Sequence, residues 1–103
     1  MTRILIADDH PVVRKGLKDI LSGAMGRIEF GEAVDAEQTI AESKKANWDL
    51  IVLDLSMPGR SGLDTLRQIR HINPKSPILV LSMHSESQFA LRAIRAGASS
   101  YLS

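Results

Sequence analysis

The chain has 103 residues, 44% hydrophobic and 24% charged, with a net charge of +1. That suffices for one domain with a modest core, and the balanced charge singles out neither nucleic acid nor an anionic membrane as a partner. The absence of cysteine excludes disulfides, thiolate metal centres and thiol catalysis. The opening "MTRILIADD" carries an apolar run too short for a signal peptide or a membrane span and meets acids at once, so the expected location is cytoplasmic. No repeat, low-complexity tract or linker interrupts the chain, and residues 1–103 are expected to form a single domain.

Apolar and polar segments alternate along the sequence. "RILIA" (3–7) is a short aliphatic strand, and Pro11 suits the first turn of a helix. Val13, Leu17, Ile20 and Leu21 recur at spacings of three and four and form that helix's apolar face, with Gly23 and Gly26 as stops. "RIEFGEAV" (27–34) is a weaker strand. Asp35 and Gln38 stand in capping-box spacing and open a second helix to about Ala46. "DLIVLD" (49–54) is the strongest strand. Ser61 is placed to cap a third helix bearing Leu63, Leu66 and Ile69, stopped by Asn73-Pro74. "PILVLS" (77–82) is a fourth strand, its Pro77 tolerated at the start. Ser85 and Gln88 repeat the capping spacing for a fourth helix with Phe89, Ala93 and Ile94, and Gly97 ends it. "SSYL" (99–102) begins a fifth strand.

The order βαβαβαβαβ, with strands that are continuously apolar rather than alternating, predicts a doubly wound α/β fold: a parallel sheet between two helical layers. Sites in such sheets lie beyond the carboxyl ends of the strands, where strand order reverses. The first strand ends in Asp8-Asp9, the third in Asp54 and the fourth in Ser82. If the first and third strands are neighbours, three carboxylates share one crevice. At about 5 Å and an effective dielectric near 20, each pair repels by roughly 3 kcal/mol. A counter-charge is required, and Mg2+ suits because it takes one or two carboxylates and keeps positions for water and phosphate. An aspartate beside such a cation can attack phosphorus and form an acyl phosphate. Ser82 would donate to a phosphoryl oxygen, while Pro58-Gly59 turns the chain away so that Asp54 is presented. Taken singly, Asp9 reads equally well as a turn residue and Ser82 as a cap; it is their joint position at strand ends that carries the chemistry.

The segments "ILIADDH", "IVLDLSMPGRSGLDTLRQIR", "ILVLSMH" and "AIRAGASSYLS" resemble the receiver domains of bacterial two-component response regulators over the whole chain. "DDHPVVRKGL" and "LSMH" are similar to the subgroup that carries a LuxR/FixJ-type helix-turn-helix domain after the receiver. The resemblance implies a flavodoxin-like sandwich with strand order 2-1-3-4-5. It implies that Asp54 accepts a phosphoryl group from the phosphohistidine of a sensor histidine kinase. It further implies that Mg2+ or Mn2+ is held directly by Asp9, Asp54 and the backbone carbonyl of Ser56, and by Asp8 through water. Ser82 would contact the phosphoryl group and Tyr101 would be the aromatic that moves with it. Ser56, Met57 and His84 flank the acceptor and would tune the lifetime of the acyl phosphate. The protein would then be a switch rather than a turnover enzyme.

The family's lysine lies three positions beyond the switch aromatic, one past Ser103, and a fifth helix follows it. The chain is therefore expected to be a C-terminally incomplete receiver without its DNA-binding domain, and the missing helix is expected to uncover an apolar patch. Dimers through that patch, or through the fourth helix and fifth strand near Arg92 and Arg95, are the expected self-contacts; DNA would be reached only through the absent domain. Two rivals remain at this level: a non-phosphorylated interaction module, and a Mg2+-dependent phosphatase with an aspartyl nucleophile, which would want an acid where Ser56 stands. Arg14, Lys15 and Lys18 read as a solvated helix face. His10 is expected to reach solvent near the site and His71 to lie on the surface. Trp48 is expected to pack at the start of the third strand.

Overall fold

The computed structural model describes residues 1–82 and 87–102, so Ser85 and His84, to which a cap and a flanking role were assigned, lie outside the described residues. The elements are β1 (Thr2–Ala7), α1 (Pro11–Met25), β2 (Ile28–Ala33), α2 (Ala36–Ser43), β3 (Leu50–Asp54), α3 (Gly62–Ile72), β4 (Ile78–Leu81), α4 (Ser87–Ala96) and β5 (Ser100–Leu102). The strands form one parallel sheet in the order 2-1-3-4-5. The chain steps from β1 outward to β2, then reverses past β1 to β3, β4 and β5. Right-handed crossovers therefore put α1 on one face and α2, α3 and α4 on the other.

The principal core lies under the three-helix layer. Leu5, Ala7, Ile51, Leu53, Ile78 and Val80 of the sheet meet Leu66 and Ile69 of α3 and Ala93 and Ala96 of α4. Trp48 joins this core where β3 begins, its Nε1–H donating to the Glu42 carbonyl at 3.0 Å. The alternate residues Ile4, Ile6 and Val52 are buried on the α1 face. The continuously apolar β1 and β3 are central strands, covered on both sides, as their composition predicts.

Several local expectations need correction. No residue of α1 is buried: Leu17 and Leu21 are half-buried, while Val13 and Ile20 are exposed. The cause is coverage, because α1 alone stands on its face among the described residues and sits against β2. The β4 and β5 side of that face is left open: Leu79 and Leu81 are half-buried and Leu102 is 56% exposed. α1 continues through Gly23 and ends at Gly26, whose φ of 79° lies in the left-handed region. α2 has the capping box, with Gln38 N–H donating to Asp35 Oδ1 and Val34 N–H to Gln38 Oε1, but ends at Ser43 rather than near Ala46. Ser61 occupies the N-cap of α3 without a side-chain cap bond; its carbonyl accepts from Thr65 instead. On α4, Ile94 is exposed, and the buried stripe is Ala93 and Ala96 behind the half-buried Phe89.

Candidate functional site

The strand order brings the ends of β1 and β3 side by side, with Ala7 paired to Leu53. The next residue of each strand end is an acid. Asp8 is buried, and its backbone N–H continues the sheet by donating to the Ala33 carbonyl. Asp54, the last residue of β3, is 7% exposed, and its Oδ1 accepts from the Ser56 N–H at 2.8 Å. Carboxylate oxygens of Asp8, Asp9 and Asp54 and a ring nitrogen of His10 all lie within 4.8 Å of one another. These groups, with Ser56 and the buried Ser82 beyond β4, line a cleft of about 690 Å³ whose far wall is Val13, Leu81 and Leu102.

Electrostatics at this point are unbalanced. Burial, and then the charges of Asp8 and Asp9, push the Asp54 carboxyl above its ordinary range, against the hydrogen bond from Ser56. His10 stands among the acids: its Nδ1 is 2.9 Å from Asp8 Oδ1, 3.2 Å from Asp9 Oδ1 and 3.9 Å from Asp54 Oδ2. The hydrogen bond to Asp8, then the charge of Asp9, raise the imidazole's pKa. Asp9 Oδ1 is buried and accepts no hydrogen bond from the described residues. It feels the His10 ring by proximity alone, because the one Nδ1 proton is directed at Asp8. A carboxylate oxygen left in this way is the expected mark of a place for a cation.

The loop that carries Asp8, Asp9 and His10 is strapped from outside. Arg14 on the first turns of α1 donates from Nη1 to the Asp8 carbonyl at 2.8 Å and from Nε to Glu32 Oε1 at 3.0 Å. Lys18 holds the other Glu32 oxygen at 2.7 Å. The two cations, Lys18 foremost, keep the Glu32 carboxyl below its ordinary range. Sequence reasoning assigned Arg14 and Lys18 to a solvated face and His10 to solvent near the site. The available signal was their i, i+4 spacing from His10 to Arg14 to Lys18, on the helix edge facing the neighbouring strand's Glu32.

The turn after Asp54 is set by two glycines. Gly59 has a φ of +106°, and Ala36 N–H at the start of α2 donates to the Pro58 carbonyl, tying the turn to the next layer. Gly62 lets α3 start against Leu55: a Cβ there would stand 2.8 Å from the Leu55 Cα. Met57 is buried in the core and does not line the cleft, whereas Ser56 does. Tyr101 is half-buried on the opposite sheet face, its ring 6.3 Å from that of Phe89. Ser82 is linked to that strand by its N–H, which donates to the Leu102 carbonyl.

With this geometry in hand, the family model of the response regulator receiver domain matches residues 4–103. The chain belongs to that family. This receiver domain is 39% identical over 99 residues to the nitrate/nitrite response regulator protein NarL of Escherichia coli (strain K12), covering 96% of the chain and 46% of NarL. It is 34% identical over 103 residues to the response regulator UvrY of the same strain, covering 100% of the chain and 47% of UvrY. A two-component response regulator from Clostridium difficile superposes with a TM-score of 0.90 at 27% identity, over 99% of this chain and 82% of that one. A LuxR-family regulator from Aurantimonas sp. SI85-9A1 does so with a TM-score of 0.81 at 37% identity, over 98% and 73%. These relatives support the LuxR/FixJ-type subgroup for this receiver. The chain spans about half the length of the curated relatives it matches. Among the described residues, no helix is long and apolar enough to cross a membrane.

Proposed function

We propose that this receiver is a phosphorylation switch in which Asp54 takes a phosphoryl group from the phosphohistidine of a sensor histidine kinase. The convergence of Asp8, Asp9 and Asp54 on one cleft, with an Asp9 oxygen left unsatisfied, carries this reading. The donor set is all hard oxygen apart from His10, and it fits Mg2+ or Mn2+ held by Asp9, Asp54 and the Ser56 carbonyl, with Asp8 acting through water. When bound, the cation supplies positive charge that offsets the acids and the equatorial phosphoryl oxygens.

The remaining work falls to the chain itself. The Ser56 N–H orients the Asp54 carboxylate through Oδ1, so its lone pair faces the cleft and not the core. A carboxylate oxygen forms the bond to phosphorus as the phosphorus–nitrogen bond to the donor imidazole breaks. The electron pair leaves with that imidazole, which returns to its neutral form on taking up a proton. Ser82 donates its hydroxyl to a phosphoryl oxygen. Its backbone link to Leu102 carries the displacement into β5, where Tyr101 sits against α4. The α4–β5 surface is then the one that partners, including a second copy, would read. We further propose that residues 1–103 are the receiver unit of a longer transcription regulator, and that DNA is bound by the remainder.

Incubation with Mg2+ and acetyl phosphate, followed by intact mass, tests the reading, with beryllium fluoride as the stable mimic. A single phosphoryl adduct, lost in Asp54→Asn, is expected. No adduct here but an adduct in a chain extended through the following helix makes residues 1–103 an incomplete switch. No adduct in either leaves the interaction-module rival, and turnover of a phosphate ester favours the phosphatase.

A further inference from the structure

We infer that the His10 ring is an internal competitor at the cation site, and that Mg2+ binds only once the ring has turned out of the cleft. The inference rests on the cation site of the proposed function and concerns what the ion must displace there. The ion's carboxylate ligands would be Asp9 and Asp54, at bonds of about 2.1 Å. His10 Nδ1 lies 3.2 Å from Asp9 Oδ1 and 3.9 Å from Asp54 Oδ2, so it stands against the space those two acids share. A nitrogen so placed helps an ion only through a lone pair, and Nδ1 carries the proton that it donates to Asp8 Oδ1 at 2.9 Å. The N–H therefore presents its positive end among the acids. The ring also fills room that Mg2+ needs for the several waters it keeps.

Turning outward costs the ring little packing. The His10 side chain is 63% exposed and, although His10 is the N-cap of α1, it makes no cap bond to the helix. The main chain stays behind: the His10 N–H donates to Asp8 Oδ1 at 2.8 Å and its carbonyl accepts from the Arg14 N–H. Outward rotation thus breaks one side-chain hydrogen bond and leaves the acid loop as it is. It also frees acceptor capacity on Asp8 Oδ1, which an ion-bound water can take up in place of the ring. Asp8 then passes from a partner of His10 to a partner of the ion's water without moving its backbone. The wild type's affinity for Mg2+ is lowered by whatever the ring's own bond contributes.

Calorimetric titration of the full chain with Mg2+ tests this in wild type, His10→Ala and His10→Phe, the last of which keeps a ring that cannot donate. An intramolecular hydrogen bond is worth a net factor of about two to ten, so both variants should bind Mg2+ more tightly by about that factor. Melting should show the same sign, with the Mg2+-induced rise larger in the variants than in wild type. The gain should persist in concentrated salt, which screens exposed charges but leaves the N–H bond in place. Affinity that is unchanged or weaker in His10→Ala overturns the inference and leaves the receiver reading standing, as does a gain that salt abolishes. Absence of Mg2+ binding from all three chains, with no adduct on Asp54, overturns both.

Discussion

Gly62→Ala places a methyl group where two backbones already touch. Gly62 has no left-handed φ, so alanine can adopt its conformation, and the outcome depends on space alone. The added Cβ would lie 2.8 Å from the Leu55 Cα and 2.9 Å from its carbonyl carbon, and closer still to the carbonyl oxygen. Carbon atoms are comfortable at about 3.5–4.0 Å, so α3 and the Leu55 segment must part by about 1 Å. Neither is a flexible side-chain tip. Overpacking of this kind costs about 1–3 kcal/mol, against at most about 1 kcal/mol gained from replacing glycine in a helix. A net loss of about 1–2 kcal/mol should lower the melting temperature of a chain this size by roughly 5–10 °C. The displaced segment is the one between Asp54 and Ser56, so Mg2+ affinity should fall with stability. Gly23→Ala is the matched control: it is helical and exposed, and nothing lies within 4 Å of its added Cβ. That variant should gain about 0.5–1 kcal/mol. Urea denaturation of the pair decides the matter, and movement in the same direction for both refutes the steric argument.

Asp54→Asn should be more stable than wild type in metal-free buffer at neutral pH. The folded-state pKa of Asp54 is raised, so its contribution is fully present below the unfolded value of 3.8 and is lost as pH rises through the folded value. The advantage of the variant should therefore vanish in melts below about pH 4, and an advantage independent of pH contradicts the burial argument. Glu32 runs the other way: its lowered pKa contributes stability above the unfolded value of 4.5, lost as pH falls through the folded value. Because its side chain is 40% exposed, Glu32→Gln should cost only about 0.5–1 kcal/mol, less at high salt. The same variant should also weaken Mg2+ binding by freeing Arg14 from its hold on the Asp8 carbonyl, and an unchanged affinity would show that the strap does not position the site. Gly31→Ala drives a Cβ into the Trp48 ring, 3.1 Å from Cζ2; a loss of about 1–3 kcal/mol and a shifted Trp48 emission are expected.

How far the sequence could be read depended on whether a feature was local. β1 and β3 were readable because central parallel strands must be apolar on both faces, and "ILIA" and "LIVL" satisfy that without any knowledge of neighbours. Asp8, Asp9 and Asp54 were readable for a related reason: a strand end fixes position, and position at a topological switch fixes proximity. The fate of α1's stripe was not readable. Val13, Leu17, Ile20 and Leu21 have helical periodicity whether or not anything covers them, and burial depends on how many helices share the face. Arg14 escaped for the opposite reason, since its partners are a carbonyl six residues back and a carboxylate on the next strand. Met57 is close to Asp54 in sequence, yet its side chain turns into the core while Ser56 lines the cleft.

Register also bears on how the proposed switch would communicate. Asp54 pairs with Leu81, and Leu81 with Leu102, so all three point to the α1 face. Tyr101 pairs with Val80 and points to the other, against Phe89. Asp54 and the aromatic therefore point to opposite faces of the sheet. One physical connection runs through the main chain: Ser82 borders the cleft, and its N–H is bonded to the Leu102 carbonyl, one residue from Tyr101. In the proposed switch, a pull on the Ser82 hydroxyl would act on β5 as a strand, and the ring would follow because its backbone does. The proposed coupling would then depend more on the β4–β5 pairing than on the volume of the aromatic.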